Sequence, residues 1–304
     1  MRVLLGKIVY FFFITIFVVS AVFFSLRLAP GDPVERILGP NAKIEEINIL
    51  RESLGLDKPV LIQYKKFLID SISFDLGSSL FKRAPVTKLI GEKVFPTTVI
   101  AIIVTFLSLF LGVFLGVASA TYHRTKIDFS LRFFSIVSLS FPIFSLGPLL
   151  VILFAIKLQL LPVSEWGGIS HIFLPCLTLI IPMSSVLARV TRNKYLEEKK
   201  SLWVQVLISK GMSNFQVYLR ILRVCMPTVL NVLAIQLSVL LAGTLITESI
   251  FDIPGLGSLL LEGIQNRDYP IVQGVILYSS IIYMSIYFLV EVLNTMIDPR
   301  LKES

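Results

Sequence analysis

VLISKGMSNFQVYLRILRVCMPTV, residues 206–229, decides how this chain is read. It interrupts a sequence otherwise built of lipid-soluble runs, and it carries a glycine break, a capped helix start and the arginines Arg220 and Arg223. Two spans joined by the shortest turn would need none of this order. Ser213, followed three residues later by Gln216, makes an S-x-x-Q capping box and predicts a helix start at Asn214. Upstream, LWVQVLISK (202–210) is a short amphipathic run, with Leu202, Val206 and Ser209 on one face and Trp203 and Leu207 close by. Gly211 ends that run in a left-handed conformation. The expectation is helix, glycine corner, capped helix, Pro227, then a span. Two readings fit: a helix lying on lipid, or a docking element for a soluble partner with Trp203 and Leu207 as anchors. Corners at both ends, and apolar residues beside the charge, favour docking.

The rest of the chain sets the class. Of 304 residues, 55% are hydrophobic, and the mean hydropathy is +0.83. That exceeds what soluble domains of this length tolerate. Runs of about 20 apolar residues match the helix length that crosses a bilayer. They fall near 8–28, 97–121, 132–156, 172–190, 227–248 and 273–296. The fold class is therefore all-α and polytopic, with six transmembrane helices. Net charge is +8, but the basic residues lie between the apolar runs, which argues for membrane orientation and against nucleic acid. Arg124 and Lys126, the set Arg192, Lys194, Lys199, Lys200, Lys210, Arg220 and Arg223, and Arg300 with Lys302 place both termini in the cytoplasm. The N-terminal run is too long for a signal peptide, and Arg27 and Pro30 spoil a cleavage site, so residues 1–28 read as a retained first span.

Residues 29–96 read as an extracytoplasmic helical insertion, either a cap on the spans or a surface loop of helical fragments: Leu61, Tyr64, Leu68 and Ile72 recur at helical spacing, Gly55 can end a helix near 43–54, and Pro96 suits the first turn of the second span. Residues 97–304 read as a core of five spans. Gly112 and Gly116 form G-x-x-x-G followed by Ala120, a close-packing face. Pro142, Pro148, Pro175 and Pro182 are expected to kink or loosen the third and fourth spans. On a helical wheel of the fifth span, Gln236, Gly243, Thr244 and Thr247 share an arc of about 100°. They are candidates for lining a translocation pathway or for hydrogen bonds between helices. Glu248 lies at the outer end of that span, where the helix dipole disfavours an acid, and Arg267 is its candidate cation; the two form a candidate outer gate. Cys176 and Cys225 fall near opposite faces and are not expected to pair, and His123 and His171 are a full span apart. No group has metal-ligand spacing, and no catalytic constellation stands out.

The chain also carries, in order, LAPGDP (28–33), FDLGSSL (74–80), LP (161–162), HIFLPCLTL (171–179), VQVLISKG (204–211), MP (226–227), ESIFDIPGLGSLL (248–260), RDYPIVQG (267–274) and DPRLK (298–302). In these it resembles the permease subunit of an ABC importer of the dipeptide/oligopeptide/nickel type, and specifically the first of the two permeases in such a complex. The resemblance implies a coupling segment, about 192–225, that engages a cytoplasmic ATPase through Trp203, Val204, Val206, Leu207, Ser209, Lys210, Gly211, Met212 and Ser213. It implies a second, distinct permease, two ATP-binding subunits and an extracytoplasmic solute-binding protein in a bacterial cytoplasmic membrane. ATP and Mg would sit on the partners. This chain has no G-x-x-x-x-G-K-[ST], its one Gly-Lys being Gly6-Lys7, and so is expected to bind no cofactor itself. One departure stands out: the family's loop has an Ala-containing run before the glycine, whereas Val204-Gln205-Val206-Leu207-Ile208 stands here. The implied cargo is a peptide or a related solute, with nickel or another small solute as the alternative. A secondary transporter would need more charge within its spans. A membrane enzyme would need converging nucleophile, base or metal ligands, and the chain offers two distant histidines.

Overall fold

The computed structural model describes residues 2–28, 31–39, 41–163, 166–241 and 244–297. In chain order the helices are α1 (Arg2–Leu28), α2 (Pro33–Leu38), α3 (Ile44–Ser53), α4 (Val60–Ile72), α5 (Val86–Thr121), α6 (Lys126–Ser140), α7 (Ile143–Leu150) with a π-helical continuation Val151–Lys157, α8 (Ile169–Lys199), α9 (Leu202–Ser209), α10 (Asn214–Leu241), α11 (Leu245–Ile250), α12 (Leu256–Asn266) and α13 (Tyr269–Ile297). Outside the helices, the described residues form one isolated β-bridge, Ser78 to Pro85. The chain divides into two compact units, one of Met1–Pro96 with Pro254–Met284, the other of Thr97–Ile253 with Ser285–Ser304.

In the first unit, α1 is joined to α4. Phe23 is fully buried, stacks on Phe67 with ring centroids 5.3 Å apart, and meets Tyr64 at 5.2 Å. Arg27 donates from Nε and Nη2 to Gln63 Oε1 at 3.0 and 2.9 Å, and its guanidinium lies over the Phe23 ring. Gly55, at φ +67°, follows α3 as the glycine reading expects. A second knot joins two of the sequence motifs. Asp268 is buried; it accepts from Ser79 Oγ at 2.6 Å and from the Phe81 amide at 3.3 Å, and its other oxygen caps the start of α13 through the Ile271 amide. The aspartate of RDYPIVQG thus holds the serine of FDLGSSL. Val86, Leu89, Ile90, Leu256, Leu259, Ile271 and Val275 form the apolar core beneath.

The second unit is a helical bundle whose sense can be read from its contacts. A Cβ on Gly112 would strike Leu187 Cβ at 2.5 Å, and one on Gly116 would strike the Ala188 carbonyl at 2.6 Å, so the two glycines let α5 and α8 touch backbone to backbone. Contacts advance together along both helices, which makes α5 and α8 parallel. Two consecutive parallel crossings require a return between them. That return is α6 with α7 and its π-helical end, two apolar helices that meet at 103° across Phe141–Pro142. Pro142 supplies no amide to continue α6, and its neighbour Phe141 takes an extended ψ of 117°. The third span is therefore one broken crossing. α10 then runs antiparallel to α8: Val217, Ile221 and Cys225 pack near Tyr195, Val229 and Leu233 near Leu187, and the Gln236 amide reaches the Met183 carbonyl at 3.4 Å. Late in α13, Asn294 Nδ2 donates to Asn231 Oδ1 at 2.5 Å.

Two boundaries differ from the sequence reading. α5 begins at Val86, so Pro96 is interior and not in a first turn. At 36 residues this helix is about 54 Å long, more than the hydrocarbon core requires. The fifth span does not run unbroken to 248; α10 ends at Leu241, and α11 is a separate six-residue helix. Both cysteines are free and buried.

Candidate functional site

The corner at residues 202–213 is built as its chemistry dictates. Ser201 leads into α9, with its hydroxyl donating to the Glu198 carbonyl at 2.6 Å. α9 ends when Gly211 takes φ +79°, and the chain folds back so that the Met212 amide reaches the Leu207 carbonyl at 3.2 Å. No atom lies within 4 Å of where a Gly211 Cβ would stand, so backbone conformation alone demands glycine there. The capping box is present in both directions: the Gln216 amide donates to Ser213 Oγ and the Ser213 amide to Gln216 Oε1, each at 3.3 Å.

Side chains of the corner divide into two sets. Val204 is buried, and Trp203, Leu207 and Met212 pack with it against Val117, Ala120, Tyr195, Val217, Ile221 and Cys225. Trp203 Nε1 also donates to Glu198 Oε2 at 3.0 Å, and Lys194 pairs with the same carboxylate at 2.9 Å. Trp203 and Leu207, expected as anchors for a partner, are half-buried and pack on the corner's own bundle. The outward apolar surface belongs to Leu202, Val206 and Ile208, which are 79%, 50% and 56% exposed, with Ser209, Lys210 and Ser213 also exposed.

Behind the corner lies a buried ionic knot with no counterpart in the sequence reading. Asp128, in the first turn of α6, is fully buried. It accepts from Ser119 Oγ at 2.6 Å, from the Arg124 amide at 3.0 Å, and from Arg192 through Nε at 2.9 Å and Nη2 at 3.0 Å. His123 Nδ1 stands 3.1 Å from Arg192 Nη2. The ends of α5 and α8 and the start of α6 are thereby pinned at one level. An acid opening an apolar run is the local signal for this knot; its partner lies 64 residues further on, which spacing rules do not reach.

The candidate pathway residues are distributed. Gln236 is on α10, half-buried, and its Oε1 has no hydrogen-bond partner among the described residues. Gly243 lies outside the described residues. Thr244 precedes α11 and gives its carbonyl to the Glu248 amide at 2.8 Å, and Thr247 is buried within α11. Because Thr244 is itself non-helical, with ψ 66°, the shared arc of a continuous helix does not carry from Gln236 to Thr247. Glu248 is buried and accepts from Thr97 Oγ1 at 2.8 Å. Arg267 caps α12 in the left-handed region, at φ +58°, with its guanidinium against the backbone of Gly31. Glu248 and Arg267 belong to different units. Among the described residues, no group of three or more His, Cys, Asp or Glu side chains is placed to hold a metal ion.

Among the described residues, these elements make an all-helical protein with five apolar helices long enough to cross a membrane, or six with the bent pair, and a short helical corner between two of them. The chain belongs to the binding-protein-dependent transport system inner membrane component family, whose model matches residues 108–303, with the N-terminal model of the same systems matching residues 1–103. It is thus a permease of the ABC importer class. It is 33% identical over 290 residues to the probable peptide ABC transporter permease protein y4tP of Sinorhizobium fredii, covering 92% of this chain and 93% of that one. To the glutathione transport system permease protein GsiC of Escherichia coli it is 32% identical over 290 residues, 95% of each chain. Among solved structures, the inward-facing MetNI methionine ABC transporter shares the fold, with a TM-score of 0.55, 15% identity, and coverage of 69% of this chain and 97% of that one.

Proposed function

We propose that this permease passes a peptide-like solute, delivered by an extracytoplasmic binding protein, through a pathway it shares with a second and distinct permease subunit. Two cytoplasmic ATP-binding subunits drive the cycle, and their motion enters through residues 202–213. The carrying observation is the corner itself: Val204, Trp203 and Leu207 fix it to α8 and α10, while Leu202, Val206 and Ile208 face outward. The missing Ala-containing run fits this arrangement, because bulkier aliphatic residues fill the outward face and call for a partner groove shaped to them. ATP and Mg belong to those partners, and the setting is a bacterial cytoplasmic membrane. Cargo is assigned from relatives whose names specify peptide and glutathione. Uptake into vesicles holding the complete transporter and its binding protein tests it. Labelled dipeptide or glutathione accumulates when ATP is enclosed, and nickel does not. Nickel accumulation alone would overturn the cargo assignment, and uptake indifferent to ATP would overturn the drive.

A further inference from the structure

We propose that the pocket where α5, α6 and α8 converge holds the phosphate headgroup of an anionic phospholipid. This cavity of about 190 Å³ is lined by, among others, Arg132, Arg189 and Arg192, Ser135 and Ser138, and Phe134. Its charge is out of balance. Asp128 stands at its edge and is the carboxylate of the knot, but its oxygens are engaged by Ser119, the Arg124 amide and both prongs of Arg192. Arg132 reaches Asp128 at 3.4 Å through one nitrogen only. Arg189 has no ion-pair or hydrogen-bond partner among the described residues, so three guanidiniums face one carboxylate. Two positive charges beside an apolar belt call for an anion, and forked guanidinium donors match phosphate oxygens.

Two observations favour a lipid over a passing solute or a free ion. Ser135 and Ser138 donate to the Leu131 and Phe134 carbonyls at 3.0 and 2.7 Å, Ser184 and Ser185 to the Ile181 carbonyl at 3.2 and 2.8 Å, and Ser119 to Asp128, so the hydroxyls of the lining have their protons engaged within the protein and offer none to a passing solute. On the same helix, Phe129, Phe133 and Phe134 are exposed beside Arg132, with Phe129 and Phe133 stacked at 6.4 Å; such a surface suits acyl chains. The pocket opens beside the knot at its Ser119 and Arg192 end and runs along α6 and α8 to Ser138 and Ile181.

Native mass spectrometry of the purified full-length chain, offered phosphatidylglycerol in excess phosphatidylcholine, tests this. The wild type retains phosphatidylglycerol selectively. Retention falls about fivefold in R189Q and about twenty-five-fold in the double variant R132Q/R189Q. Should the double variant fail to fold, R189Q carries the test, since Arg189 is exposed and holds no contact that the fold requires. Equal retention by wild type and R189Q overturns the site. So does a wild type that does not prefer phosphatidylglycerol to phosphatidylcholine. Displacement of the lipid by equimolar inorganic phosphate overturns the lipid as the source of the anion.

Discussion

At the scale of the residue, the decisive side chains are those whose loss leaves something buried and unpaired, or strained. Asp128→Asn removes the charge that Arg192 grips, on a carboxylate that is only 1% exposed. Breaking a buried pair by one member costs about 3 kcal/mol or more, so the detergent-solubilised variant should melt several degrees below wild type. An unchanged melting temperature would show that the knot contributes nothing to stability. Gly211→Ala forces a Cβ into the left-handed region and should cost about 1 kcal/mol, with no steric clash to add. Its expected signature is reduced ATP-driven uptake at near-normal expression. Gly211, Ser213 and Gln216 are legible in the sequence because their chemistry closes within a few residues. Asp128 and Arg192 are not, and neither are Ser79 and Asp268, because each pair meets only after the chain has crossed the membrane or turned back upon itself.

At the scale of the element, apolar length identifies five helices outright, while the sixth crossing depends on a break that hydropathy averages away. Proline content announces that α6–α7 is irregular, but not that it turns through 103°. The turn emerges only when Gly112 and Gly116 are seen to press α5 parallel to α8, which obliges the intervening chain to return. Single cysteines at Arg124 and Gln159 should then react with an impermeant thiol reagent from opposite sides of the membrane; labelling from one side would make the bent pair a re-entrant loop. The same averaging runs α10 into α11, and for that reason Gln236 and Thr247 look like neighbours on a wheel when a break separates them. Replacing Gly116 with leucine should separate α5 from α8, since even a Cβ there meets the Ala188 backbone. Overpacking of this kind typically costs about 1–3 kcal/mol, visible as a lowered melting temperature and loss of assembled transporter.

At the scale of the whole molecule, the class of machine is legible early in the ordered run of motifs from LAPGDP (28–33) to DPRLK (298–302), in which the chain resembles an ABC importer permease. What stays hidden is which face of the corner meets the partner. Amphipathic spacing puts Leu202 and Val206 on one face and chemistry suggests Trp203 and Leu207 as anchors beside it, but the half-buried tryptophan's indole N–H finds Glu198 on the bundle side, and Leu202, Val206 and Ile208 are the exposed apolar side chains. Substituting Leu202 and Val206 with serine should therefore spare the fold, lower ATP-driven uptake about tenfold or more, and leave basal ATP hydrolysis by the partners in place, since the lost contacts are those of a buried interface centre. Serine at Val204 should instead destabilise the permease itself. The most direct measurement places a photoreactive side chain at Val206 in the assembled transporter and identifies what it captures. The account predicts an adduct with an ATP-hydrolysing subunit, whose yield changes when nucleotide is bound. Capture of phospholipid alone, with uptake undiminished, would contradict it.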